Sequence, residues 1–196
     1  MPDAESLRFF FDYVDPASFL VEREIARLET EFGSTVERVP FEVRVPPSPM
    51  VDTRTSEWRR FWEGAQEAAR EKGVTLARPR LVPWTRKAHE LALHAREEGR
   101  FPAIHTALFE AFMLDGKDLG RVDVLLSVAT LNGLDLTRTK AVLDVDRHAA
   151  TVGAARESAE RLGVRGVPTL RTGDRTLEGF QGSGNIRAFL QQASSR

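Results

Sequence analysis

The stretch FFFDYVDPASFL, Phe9 to Leu20, constrains the fold most: an apolar run breaks at an Asp-Pro pair and restarts with helical character. Leu7 to Tyr13 is too short and too continuously apolar for a surface helix, so it predicts a buried strand. Asp15 is a favoured N-cap and Pro16 suits the first helical position. Phe19, Leu20, Glu24, Ile25 and Leu28 then recur at helical spacing as far as Gly33. The following VPFEVRV alternates Phe41, Val43 and Val45 against Glu42 and Arg44, the pattern of a half-buried strand. Strand, helix, strand with a crossover helix predicts a right-handed parallel βαβ unit.

After VPPSP the period changes. From Ser56 to about Asp144 it is helical almost throughout, in segments opened by Ser56 or Pro102 and closed by Gly73, Gly99, Gly116 and Gly133. The aromatic residues Trp58, Phe61, Trp62, Phe109 and Phe112 recur at helical spacing and are expected in the helix-packing core. A further helix, RHAATVGAARESAERLG, precedes two short strands, VPTLR and RTLEGF, joined by Gly173-Asp174 as a tight hairpin. A last amphipathic piece runs from Asn185 to Gln192. The expected architecture is α/β, with residues 1–50 and 147–196 forming one discontinuous domain and 51–146 an all-helical insertion.

Composition removes several functions. The chain has 196 residues, enough to bury roughly 70% of its unfolded surface without staples. Its net charge of −1 supplies no basic field for nucleic acid or an anionic membrane. The start, MPDAESLR, is not a basic segment leading into a long apolar run, so the expected location is the cytoplasm. There is no cysteine, which excludes disulfides, thiolate metal sites and thiol chemistry by the chain's own residues.

Two motifs coincide with this organisation, FDYVDPASFL after the first strand and GVRGVPTL opening the hairpin. Together with the insertion WTRKAHELALHAREEGRFPAIHTALFEAFMLDGKDLGRVDVLLSVATLNGLD, they resemble the DsbA-like branch of the thioredoxin superfamily. The resemblance extends over nearly the whole chain. The insertion is similar to that of FrnE-type members and their relatives, which include the glutathione-dependent 2-hydroxychromene-2-carboxylate isomerases and kappa-class glutathione transferases. It implies a thioredoxin-like fold with a helical insertion. Redox members carry Cys-Pro-x-Cys where this chain has Asp15, Pro16, Ala17 and Ser18, so both thiols are missing. Isomerase and transferase members carry Ser-Pro-Tyr-Ser-like sequences there, and this chain departs from that pattern too.

Asp15 and Ser18 are therefore the candidate catalytic residues. Asp15 is either a structural cap, accepting from the N–H of Ala17 or Ser18, or a general base or orienting carboxylate. As an anion it occupies the place where a thiolate would sit, which opposes ordinary glutathione-thiolate activation. Ser18 lacks a paired base and is expected to be solvent-exposed or bonded to backbone. By the resemblance, Val167 and a cis Pro168 form the second half of the site, with Pro16 and Trp84 as further substrate- or peptide-binding residues.

No cofactor is required on this reading, with glutathione the one candidate. The expected partners are a small molecule, glutathione or an extended peptide, without nucleic acid or membrane, and a homodimer is left open. No metal site is expected: His89 and His94 in HELALH are five residues apart, about 140° around a helix. His105 and His148 have no ligand cluster nearby in sequence. The function expected is that of a DsbA/FrnE-family protein without dithiol redox activity, either an isomerase- or transferase-like enzyme or a non-catalytic peptide-binding module.

Overall fold

The computed structural model describes residues 6–33 and 35–194. They fall into two compact units, one ending at Val43 and resuming at Ala155, the other Arg44–Ala154.

In the first unit, β1 (Arg8–Phe11) leads into α1 (Pro16–Phe32) and β2 (Glu37–Pro40), and the chain returns through β3 (Thr169–Thr172), β4 (Arg175–Glu178) and α8 (Ser183–Ser194). The sheet order is β2-β1-β3-β4. β1 pairs parallel with β2, Phe9 opposite Arg38, and antiparallel with β3, Phe9 opposite Leu170. Side chains of a strand alternate between faces, so both faces of β1 must be covered for its run to be continuously apolar. Phe10 packs with Phe41, Ala159 and Val164. Phe9 and Phe11 point the other way and stack at 5.6 Å, with Tyr13 edge-on to Phe11 at 5.1 Å. The hairpin turn is at Gly173-Asp174, with Thr172 opposite Arg175 and Gly173 at φ 53°.

The second strand differs from its expected position. It lies at Glu37–Pro40 instead of along VPFEVRV, and the burial beyond it is inverted, with Glu42 fully buried and Val43 46% exposed. The reason is the partner strand: β1 ends at Phe11, whose carbonyl accepts the Phe41 N–H at 2.9 Å as the last rung. Past that point the Val43 N–H donates to the Asp12 carboxylate at 2.7 Å, a side chain replacing the ladder. Pro40, lacking an N–H, is tolerated because β2 is an edge strand.

A buried ion network ties β2 to the crossover helix. The Arg38 guanidinium donates to both Glu22 oxygens, at 2.7 and 3.1 Å, and to Glu29 at 2.6 Å. Glu29 also accepts the Val36 N–H at 2.6 Å, fixing the entry to the strand. α1 ends at Gly33, left-handed at φ 64°, with its N–H on the Glu29 carbonyl. α8 lies along α1 through Ser183 Oγ donating to Glu24 at 2.6 Å and Arg187 donating to Glu31 at 2.7 Å. α8 is longer at both ends than the expected Asn185 to Gln192.

The second unit holds α2 (Ser56–Arg70), α3 (Arg86–Glu97), α4 (Phe101–Met113), α5 (Val122–Leu131) and α6 (Leu136–Asp144), and α7 (Ala149–Arg161) begins in it. α2 is capped by Thr55 and not by Ser56, the Thr55 hydroxyl accepting the Trp58 N–H at 3.2 Å. Trp58 stacks on Trp62 at 5.4 Å, and Trp62 lies edge-on to Phe112 and donates to the Ala77 carbonyl at 3.0 Å. Phe61 is 55% exposed, against the expectation that it joins this core. One helical residue before Trp62, it is rotated about 100° off the buried stripe. No helix among the described residues is long and apolar enough to cross a membrane.

Removing Arg38 strands two carboxylates in a poorly solvated place. Arg38→Ala is expected to lower unfolding free energy by about 3–5 kcal/mol in urea melts, the range for breaking a buried pair. A loss below about 1 kcal/mol would show that the network is worth no more than surface pairing.

Candidate functional site

β1 and β3 run antiparallel, with Phe10 opposite Thr169, so the end of β1 and the start of β3 lie at one edge of the sheet. The start of α1 and the Val167-Pro168 segment therefore emerge at that edge. The Val167-Pro168 bond is cis, as is Pro46-Pro47, which nothing in the sequence reading singled out. The Pro168 carbonyl accepts the Gly179 N–H at 2.8 Å, whereas Val167 precedes the β1–β3 pairing register. Pro16, buried, occupies the first position of α1.

Asp15 caps α1 from extended backbone, and one of its carboxylate oxygens accepts twice from Ser18, from the N–H at 2.6 Å and from the hydroxyl at 2.7 Å. Ser18 is neither exposed nor bonded only to backbone, as its lack of a basic partner suggested. It is fully buried, and its hydroxyl donates to Asp15 while lying 3.5 Å from the Asp12 N–H, which points to it. An apolar first turn leaves this hydroxyl the Asp15 carboxylate as its acceptor. Asp12, also buried, holds the Val43 N–H. Sequence reading passed over Asp12; the signal was an acidic residue directly after Phe11, where a strand interior gives way to the sheet edge.

The electrostatics of Asp15 run opposite to those of an ordinary cap. Burial pushes its carboxyl up from 3.8 to about 6, Asp12 adds like-charge repulsion, and the Ser18 and Ala17 hydrogen bonds pull down without prevailing. Its side chain retains some surface at the edge of the protein. A carboxyl titrating near 6, with a bonded hydroxyl, can exchange a proton close to neutral pH.

Trp84 belongs to the other unit. Its indole N–H donates to the Ser48 carbonyl at 3.1 Å, and it lines a cavity of about 320 Å³ with Pro46, Met50, Leu81, Pro83 and Arg121. In that unit His148, far away in sequence, comes to His94 and Glu97, with one ligand-type atom from each within 4.8 Å of the others. His89 is not part of this group, and His105 sits between the rings of Phe101 and Phe109.

A mixed sheet entered by β1 and α1, closed by a hairpin after a cis proline and interrupted by helices, is a thioredoxin-like fold with a helical insertion. The chain belongs to the DSBA-like thioredoxin domain family, whose model matches residues 6–193. It is 28% identical over 181 residues to the uncharacterized protein YwbO of Bacillus subtilis, with 90% of each chain covered. A "probable DsbA oxidoreductase" of Streptomyces coelicolor shares the fold at a TM-score of 0.82 and 21% identity, covering 97% of this chain and 90% of that one. A 2-hydroxychromene-2-carboxylate isomerase does so at 0.75 and 19%, covering 96% and 93%. With no cysteine, this member performs no dithiol redox chemistry with its own residues.

A carboxyl raised above its unfolded value holds its proton more tightly in the native state. Its favourable contribution is complete below about pH 4 and is lost as pH rises through about 6. Asn keeps the capping oxygen without the charge. Asp15→Asn is thus expected to raise stability at pH 7.5 by on the order of 1–2 kcal/mol, discounted for partial exposure, with the gain vanishing below about pH 4. Thermal or urea melts from pH 3.5 to 8 check this, and a destabilised Asn variant at pH 7.5 would contradict it.

Proposed function

We propose that this protein is a small-molecule enzyme of isomerase- or transferase-like type, in which the Asp15 carboxyl, oriented by Ser18, transfers a proton where redox relatives exchange disulfides. The observation that carries this reading is the buried carboxyl at the start of α1, bonded to the Ser18 hydroxyl at 2.7 Å and pushed up to about 6 by burial. Likeness of fold to the 2-hydroxychromene-2-carboxylate isomerase supplies a probe, and the family resemblance supplies glutathione as the candidate cosubstrate. Ionised Asp15 repels a bound thiolate, so any glutathione binding here is weaker as the thiolate than as the thiol.

The test combines calorimetric titration with reduced glutathione and assay of 2-hydroxychromene-2-carboxylate isomerisation from pH 5 to 8, with and without glutathione. As a general base, Asp15 gives a rate that rises with pH through about 6 and falls about 100-fold or more in Asp15→Asn. Ser18→Ala is expected to retain activity with its inflection moved upward, because a hydrogen bond to the ionised form is lost. Turnover unchanged in Asp15→Asn would eliminate the acid–base role.

A second reading, an extended-peptide binder without chemistry, is favoured by Val167, whose backbone lies ahead of the strand register at the same sheet edge. Silence with both small probes, together with amide shifts at Val167 on adding an unfolded polypeptide, would establish it instead.

A further inference from the structure

We propose that His94, Glu97 and His148 form a binding site for a divalent first-row transition cation of the zinc type. His94 and Glu97 lie three residues apart in the last turn of α3, a spacing that puts both side chains on one helical face. His148, just ahead of α7, faces them, with its backbone N–H held by the buried Glu90 carboxylate at 3.1 Å. One donor atom from each of the three lies within 4.8 Å of the others. Bond lengths of about 2.0–2.2 Å require donors about 3.3–3.5 Å apart around a tetrahedral ion. His148 Nε2 and Glu97 Oε2 are already 3.6 Å apart, and the half-exposed Glu97 side chain can supply the remaining closure.

A second observation points to a ligand. His148 is 7% exposed and its Nε2, directed at Glu97, has no hydrogen-bond partner among the described residues; His94 beside it is 2% exposed. Leaving a buried imidazole nitrogen unsatisfied is costly, and a cation shared with Glu97 supplies His148 Nε2 with the partner it lacks. The carbonyl end of α3 favours positive charge at this place. Opposing these, Arg147 lies 3.7 Å from Glu97 Oε2 and must give way when the cation enters.

Two imidazoles and a carboxylate, with no thiolate anywhere in the chain, select zinc, cobalt, nickel or copper over magnesium or calcium. Three protein ligands with Glu97 at the surface leave a fourth position for water, the open type of site. The alternative occupant is a proton, which would make His148 and Glu97 an ion pair and leave His94 unused.

Zinc chloride is the probe, titrated into full-length, tag-free, chelator-dialysed protein in competition with a chromophoric chelator. One zinc per chain is expected, with imidazole NMR signals of two of the four histidines shifting, those of His94 and His148. At about 100-fold excess over Kd the melting temperature should rise by about 5 °C or more. Glu97→Gln, at a half-exposed position where folding is not at risk, should weaken binding at least tenfold. His148→Ala should abolish it; should that variant fail to fold, Glu97→Gln and the wild-type imidazole shifts decide alone. No saturable binding up to high-micromolar zinc, shifts at His89 or His105 instead, or unaltered affinity in Glu97→Gln would each overturn the proposal.

Discussion

Everything in the sheet-bearing unit is placed by β1, a four-residue strand hydrogen-bonded along both edges. A strand flanked on both sides needs partners from elsewhere in the chain, and these come from a neighbouring segment and from one more than a hundred residues later. The neighbour is reached through a crossover helix, α1, and pairs parallel; the distant one, β3, pairs antiparallel and brings β4 with it as a hairpin. Because β2 stops where β1 stops, the chain beyond Phe11 and Phe41 is free of ladder obligations, and its polar groups turn to one another: Asp12 to Val43, Asp15 to Ser18. The same strand ends that complete the sheet therefore release the backbone and side chains that build the candidate site.

Much of this could be read from the sequence because it rests on local rules. The FFF run, the Asp-Pro helix start, the glycine stops and the Gly173-Asp174 turn each depend on neighbours within a few residues. Where pairing partners decide, local pattern is not enough. Phe41, Val43 and Val45 alternate as a strand should, yet only Phe41 is fully buried, since the chain lacks a partner beyond Phe11. Of the five aromatic residues at helical spacing, Trp58, Trp62, Phe109 and Phe112 are buried and Phe61 is not. Ser18 has no basic neighbour in sequence, and its hydroxyl partner is the carboxylate three residues earlier. The gathering of His148 with His94 and Glu97 could not be seen at all, because a separation of over fifty residues is closed only by helix packing.

The position of Asp15 brings two ordinary effects into opposition. A helix start stabilises an anion through its free N–H groups and its partial positive charge, while burial beside another acid destabilises the same anion. At an exposed cap the first effect prevails and the carboxyl titrates low. Here the second prevails, although Ser18 contributes two hydrogen bonds to the ionised form. Serine, threonine or asparagine would satisfy the Ser18 N–H without a charge to desolvate. An acid here also holds a proton that can leave and return near neutral pH, in a chain that has no thiol of its own.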